Sequence, residues 1–326
     1  MERRDFLVKS ALVGGGLYSM GLKNADAISI SKENPMPMQI LGRTGEKVSM
    51  IGIGGGHWWR EPRTEEDIKI LFNRALEAGI NYVDMAPNYG DQESEKRLGA
   101  AMEGKRDKVF LVNKTEAPTY KGTWELLEQS LENLRTDYID LLHLHSIGNT
   151  ERWTDLDHAF SKKGAMEALR EAKKKGLIHY IGATAHHWPS RMHYVIDSGE
   201  IDVLMLAVNY VVQHSYNFED KIWARAREEN MGLVAMKVFG GRVDKIGQFK
   251  IPEEDYKDAL RYALSLNGIS TAVLGVTNVK ELEPALKIME EFIPLTEEEY
   301  LDLSMKGLSI LKQNPEWREA YGTPVA

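Results

Sequence analysis

Between residues 48 and 291, eight short apolar runs alternate with eight amphipathic helical patterns, and this alternation constrains the fold more than any single motif. The strand-like runs cover residues 48–52, 81–84, 109–114, 139–145, 180–184, 203–209, 232–236 and 271–275. The first helical pattern starts at Thr64, where a hydroxyl residue and three acids precede an apolar stripe at Ile68, Leu71, Phe72, Ala75 and Leu76. That is a helix N-terminus followed by one buried face. The others cover 93–102, 123–134, 163–175, 189–198, 219–229, 252–266 and 279–291. Three helices end in a common phrase, with Gly79, Gly176 or Gly232 closing the helix at positive φ before an apolar entry into the next strand. Such regularity predicts an α/β fold, a (β/α)8 TIM barrel. Residues 38–52 read as an N-terminal β-hairpin turning at Thr44-Gly45 and running into the first strand.

The structural alternative is an open, doubly wound sheet. Its dinucleotide fingerprint is matched only superficially by Gly52-Ile53-Gly54-Gly55-Gly56-His57: histidine takes the third glycine position, and Trp58-Trp59 follows where a helix should begin. Composition narrows the partners. The chain has 326 residues, 28% of them charged, at net charge −8 without a basic patch, so no nucleic-acid partner is expected. It has no cysteine, which excludes disulfides and thiolate metal sites. No internal apolar run reaches the ~18 residues of a membrane span.

The N-terminus stands apart. Arg3-Arg4 and Phe6-Leu7 lead into a short glycine-rich apolar stretch, and Ala25-Asp26-Ala27 forms an A-x-A cleavage pattern. Residues 1–27 therefore resemble a twin-arginine export signal, although Glu2 replaces the usual hydroxyl residue and Val8 the lysine. Residues 28–37 read as a linker and 38–326 as one barrel domain including its tail. This organisation implies periplasmic or cell-surface location and passage through the twin-arginine machinery. A basic helix retained in the cytoplasm is the alternative.

Barrel chemistry sits at the C-terminal ends of the strands. There the second, third and fourth strands end in Asp84, Lys114 and His145, and Tyr89 follows Asp84 on a loop turned by Pro87 and Gly90. An aspartate and lysine on neighbouring strands make a structural ion pair by themselves. With a tyrosine between them they make a site, because a cation beside a phenol favours tyrosinate and lowers its pKa from about 10. Period two puts Leu141, His143 and His145 on one face, with His143 deeper as a hydrogen-bonded core residue. His-x-His could instead bind metal with Asp84 as a carboxylate ligand, but a lysine beside it would repel the ion and no third histidine sits at another strand end before His186-His187, so no metal is expected. Trp58 and Trp59 are either an apolar substrate wall or rim packing.

These motifs, together with Leu41-Gly42-Arg43-Thr44-Gly45, Glu95-x-x-Leu98-Gly99, Tyr138-Ile139-Asp140-Leu141-Leu142 and Ile181-Gly182-Ala183-Thr184, resemble the aldo-keto reductase superfamily over about residues 38 to 290. The resemblance implies a nicotinamide-dependent reduction of aldehydes or ketones, with the family's tetrad on Asp84, Tyr89, Lys114 and His145. A small carbonyl substrate would accept hydrogen bonds from Tyr89 and His145, and Tyr89 would protonate the nascent alkoxide. The cofactor implied is NAD(P)H, bound by Gly55, Thr184, Asn209, Lys237, Phe239, Gly240, Gly275, Thr277 and Glu281.

Several of these positions depart from the family pattern. Thr184-Ala185 replaces a Ser-Asn pair, Met205 stands at a glutamine position, and Met236 replaces an aromatic residue that stacks on nicotinamide. Lys237 and the glycines after it suit a pyrophosphate. At the adenosine end, Gly275, Val276 and Glu281 replace the Lys-Ser and Arg of NADP-binding members, and a carboxylate repels a 2′-phosphate, which favours NAD(H). Glu281 otherwise reads as a helix-start residue facing the dipole. A non-catalytic, nucleotide-binding regulatory module on the same barrel is the alternative function. The substrate's identity is not written in these motifs.

Overall fold

A computed structural model describes residue 22, residues 36–243 and residues 247–314. Twelve strands appear among them: β1 (Met38–Ile40), β2 (Lys47–Ser49), β3 (Ile51–Gly54), β4 (Tyr82–Asp84), β5 (Phe110–Thr115), β6 (Ile139–Leu144), β7 (Ile178–Ala185), β8 (Val203–Ala207), β9 (Gly232–Met236), β10 (Gly240–Val243), β11 (Gly247–Lys250) and β12 (Ile269–Leu274). Eight close a parallel barrel in the order β12-β3-β4-β5-β6-β7-β8-β9, with helices between successive strands. The (β/α)8 expectation holds, and closure removes the open-sheet alternative. β1 and β2 pair antiparallel as the N-terminal hairpin.

Two apolar layers follow from strand parity. Inward residues Tyr82, Phe110, Val112, Leu141, Val203, Met205, Val234, Met236 and Val273 pack together inside the barrel, joined by Leu41 and Val48 of the hairpin. The hairpin therefore supplies two fully buried side chains to the barrel interior. The outer layer lies between strands and helices, with Leu111, Leu142, Leu144 and Leu204 meeting helix residues such as Leu71, Leu98 and Leu169.

Three expectations are corrected in detail. The 48–52 run is two strands rather than one, separated at Met50, whose amide donates to the Pro37 carbonyl (2.9 Å). Ser49 makes the break: its hydroxyl donates to Ile51 O (2.7 Å) and its amide donates to Asn81 Oδ1 (2.8 Å), local bonds that compete with a continuous ladder. Gly79 and Gly176 take positive φ as expected, but in the third phrase Asn230 (φ 50°) does so and Gly232 enters the strand. The supposed linker is also shorter, since Met36 is already buried and Pro37 pairs with Met50.

The tail helix, Glu297–Gln313, packs on two elements: the ring of Tyr300 stacks on Tyr262 of the helix Tyr256–Ser265 at 5.4 Å, and His214 Nε2, in the segment following β8, lies 2.7 Å from Ser304 O. Of the supposed export signal, only Leu22 is among the described residues, forming a bridge with Leu266; the rest lies outside them. No helix among the described residues is long and apolar enough to cross a membrane.

Candidate active site

β4 and β5 run in register with Asp84 opposite Val112, so the inward side chains of Asp84 and Lys114 come together at the C-terminal rim. Lys114 Nζ donates to both Asp84 carboxylate oxygens (2.7 Å each) and to Met85 O (2.6 Å), and lies 3.3 Å from the Tyr89 hydroxyl. Its ammonium also stands 5.1 Å from the centre of the Tyr89 ring. Tyr89 is brought there by a compact loop: Met85 N donates to Val112 O (2.8 Å) and Tyr89 N to Ala86 O (3.1 Å).

Lys114 is only 2% exposed. Burial alone would lower it, but Asp84 and Tyr89 outweigh that and hold the ammonium above its ordinary range. Burial pushes Asp84 upward against the pull of Lys114. With both carboxylate oxygens in contact with the ammonium, we describe the pair as ionised. The expected lowering of Tyr89 is corrected: burial raises the phenol, and Lys114 opposes this without reversing it. Taking a phenolate out of water costs more than one nearby cation returns.

His145 follows β6 on the same inward face, its amide donating to Thr115 O (2.9 Å). Burial, then the charges of Lys114, Arg152 and Lys237, hold its imidazole well below the ordinary range. Its Nδ1 lies 3.1 Å from Glu116 Oε1, and Arg152 Nη2 lies 3.1 Å from Glu116 Oε2. Neither Glu116 nor Arg152 is evident as a site residue from motif reading. Glu116 has a signal nonetheless: residues 112, 114 and 116 share inward parity, continued just past the strand end. Arg152 lies in a loop without periodicity and carries no such signal. His143 is buried, as expected of a core residue, but both ring nitrogens lack hydrogen-bond partners, contrary to expectation.

The tryptophans divide. Trp58 is fully buried, with Nε1 donating to Val276 O (2.8 Å), and is packing. Trp59 is 37% exposed and stands against Gly90, beside Tyr89, where a Cβ would meet its ring at 2.1 Å. Trp59 is the rim residue.

The residues expected to hold a cofactor are less uniform. Thr184 is buried on the inward face with its hydroxyl unpartnered, a polar atom suited to an amide ligand. Lys237 is half-buried at φ 59°, and its charge reaches Asp84, His145 and His186. Gly240 takes φ 83° and donates to Lys237 O (2.9 Å), while the Phe239 ring stacks on Tyr256 at 4.1 Å. Asn209 is engaged by backbone: Nδ2 donates to Lys237 O (2.9 Å), and Oδ1 accepts from Val211 N (3.0 Å) and Val212 N (2.8 Å). Gly55 donates to Asp84 O (2.9 Å) and packs on Met85. Gly275 is exposed, with open space on its Cβ side. Glu281 Oε2 accepts from Thr277 N (2.8 Å) and Oγ1 (2.9 Å), closing the start of the helix Val279–Glu290. Met205 and Met236 are both interior core residues.

A model of the "Aldo/keto reductase family" matches residues 50–258. The chain is 26% identical to L-galactose dehydrogenase of Arabidopsis thaliana over 83% of its own length and 92% of that protein's. It is 22% identical to pyridoxal 4-dehydrogenase of Microbacterium luteolum, covering 82% and 96% of the two chains. The holo form of aldo-keto reductase AKR11C1 from Bacillus halodurans shares the fold, with a TM-score of 0.69 at 22% identity over 83% of this chain and 96% of that one. The matched region contains the barrel strands β3 to β9, Tyr89 and the ion pair beneath it, and the chain belongs to the aldo/keto reductase family, whose named relatives are oxidoreductases.

Proposed function

We propose that this protein reduces aldehydes or ketones to alcohols as an NAD(P)H-dependent enzyme, with Tyr89 as general acid assisted by Lys114, Asp84 and His145. The observation that carries this is Lys114 Nζ touching Asp84 at 2.7 Å and Tyr89 at 3.3 Å. Members of the family generally use NAD(P)H, and the nicotinamide supplies the hydride when bound. Thr184 and Lys237 fit such a group, the first by its unpartnered buried hydroxyl and the second by its charge at the mouth. Tyr89 donates its proton to the carbonyl oxygen as negative charge develops there. Lys114 stabilises the resulting phenolate, and Asp84 keeps the ammonium in place.

The cofactor preference we infer is NAD(H), because the carboxylate of Glu281 stands where NADP-binding members of the family carry arginine. Turnover with a panel of aldehydes, using NADH and NADPH in parallel, tests the whole reading; activity with neither nucleotide would abandon it. The engagement of Asn209 by backbone favours the second reading, a nucleotide-binding module without turnover, and the same assay separates the two.

The direction of the Tyr89 shift yields a pH prediction. A general acid works while protonated, and burial raises this phenol. Reduction measured as kcat/KM should therefore show no tyrosine-dependent fall until above about pH 10, the ordinary phenol value. An alkaline limb centred near neutrality, and absent from a Tyr89→Phe variant, would contradict the assignment.

Export is part of the proposal, resting on residues 1–27. Replacing Arg3 and Arg4 together with lysine should retain the full-length chain inside the cell. Unchanged fractionation of that variant would remove the twin-arginine reading.

A further inference from the structure

The loop after β4 leaves Tyr89 through three successive residues at positive φ: Gly90 (65°), Asp91 (51°) and Gln92 (69°). Glycine takes that conformation freely, whereas a glutamine does so at a cost in local strain. Strain of this kind persists only where surrounding contacts hold it. The main chain supplies one hold: Gln92 N donates to Pro87 O at 2.8 Å, closing a hydrogen-bonded ring of backbone that contains Tyr89. The Gln92 side chain supplies the other. Its Nε2 donates to Gln129 Oε1 (2.8 Å) and its Oε1 accepts from Asn133 Nδ2 (2.7 Å), both on the helix Tyr120–Leu134.

We propose that Gln92 is a positioning residue for Tyr89: its side chain clamps this left-handed turn to the helix Tyr120–Leu134 and thereby sets where the phenol stands against Lys114. The proposal deepens the reductase reading. Its consequence for turnover rests on that reading, and its consequence for the surroundings of Tyr89 does not.

The clamp reaches both partners of the Tyr89–Lys114 contact. Asn133 Nδ2 also donates to Glu95 Oε2 (3.3 Å), and Glu95 Oε1 accepts from Ser130 Oγ and Asn113 Nδ2 (2.8 Å each). Asn113 precedes Lys114 on β5, so one chain of hydrogen bonds runs from the turn behind Tyr89, through the helix, to the strand that carries the lysine. Glu95 and Asn113 are fully buried, which anchors that end in the core. Gln92 is where the loop joins it. On its other side the loop meets packing: the Trp59 ring fills the Cβ side of Gly90, and a Cβ on Gly56 would stand 3.7 Å from Tyr89 Cζ. Such contacts limit the approach of the phenol without setting its distance from the ammonium. At 3.3 Å that distance is already long for a hydrogen bond, so a small shift of the turn breaks it. A misplacement of about 1 Å can cost on the order of 10²-fold in rate.

The test begins without substrate. In the full chain labelled with carbon-13 at Cζ of its 13 tyrosines, the Tyr89 NMR signal is the one lost in Tyr89→Phe. The wild type should give a single sharp signal. Gln92→Ala removes both amide contacts and keeps a side chain at positive φ, and it should shift or broaden that signal. Gln92→Gly removes the same contacts together with the strain and should do the same. Asp91→Gly is the control: it places a glycine beside the clamp without removing it, and should leave the Tyr89 signal as in the wild type.

In turnover, Gln92→Ala and Gln92→Gly should each lower kcat about tenfold or more, with nucleotide affinity by fluorescence titration within about twofold of wild type. A Tyr89 signal unchanged in both Gln92 variants overturns the clamp. So does a signal disturbed equally in Asp91→Gly, because the effect would then lie in backbone freedom rather than in the amide contacts. A disturbed signal with unchanged kcat overturns the consequence for turnover. Failure of the wild type to turn over any aldehyde overturns that consequence together with the reductase reading, while the NMR result still decides the role of Gln92.

Discussion

Replacing Tyr89 by phenylalanine should lower kcat by roughly 10²–10⁴-fold, the range removed with a positioned general acid. The substitution deletes one hydroxyl and keeps the ring against which Lys114 stands at 5.1 Å. Lys114 retains both Asp84 oxygens and Met85 O, so the buried charge keeps its principal partners. The variant should therefore fold normally and bind nucleotide as the wild type does, confining the loss to the chemical step. Steady-state turnover with the best aldehyde, alongside fluorescence titration of nucleotide, measures both. Activity within a few-fold of wild type, at unchanged nucleotide affinity, would show that the phenol is not the acid. A parallel loss of nucleotide binding would mean that Tyr89 shapes the pocket instead.

Much of this arrangement is legible in the sequence because barrels obey two periods at once. Alternation of apolar runs with 3.6-period helices gives the architecture. Period two within each run decides which residues enter the barrel, and it places Asp84, Lys114 and His145 on the inner face. What escapes is governed by interactions that periodicity does not encode. The break at Met50 depends on Ser49 and Asn81, residues 32 positions apart whose side chains bond each other's backbone. Asn230 and Gly232 both stand at a helix end, and only the three-dimensional path shows which takes positive φ. β10 begins with the glycines after Lys237 and pairs antiparallel with β11, where a phosphate-binding turn was expected and no second pair of strands. Glu116 and Arg152 become partners of His145 through a loop whose course has no pattern.

The direction of the Tyr89 shift escapes the sequence for a related reason: proximity of a lysine is visible in a motif, whereas the depth of burial that opposes it is not. Functional residues at strand ends are thus easier to find than the electrostatic balance that sets their protonation.

That balance makes the second large effect predictable. Asp84→Ala removes the only carboxylate touching Lys114 among the described residues and leaves a 2%-exposed ammonium with Met85 O at 2.6 Å and the Tyr89 hydroxyl at 3.3 Å. Breaking a buried pair by deleting one partner typically costs about 3–5 kcal/mol, because the remaining charge is uncompensated. The sign with pH follows. In the wild type, Lys114 is held above its ordinary value, so the pair's contribution is fully present below the unfolded lysine pKa of about 10.4 and declines as pH rises through the folded value. In Asp84→Ala, burial acts on the ammonium without its main counterweight and drives it towards the neutral amine. Denaturant unfolding at pH 7 and pH 10 should therefore show a variant less stable than wild type, with the gap narrowing at the higher pH. The double variant Asp84→Ala/Lys114→Met removes the orphaned charge and should recover most of the lost stability while turnover stays low. If instead Asp84→Ala unfolds like the wild type at pH 7, the pair is not the buried ionic support of Tyr89. If the double variant regains turnover along with stability, neither charge is needed to stabilise the phenolate.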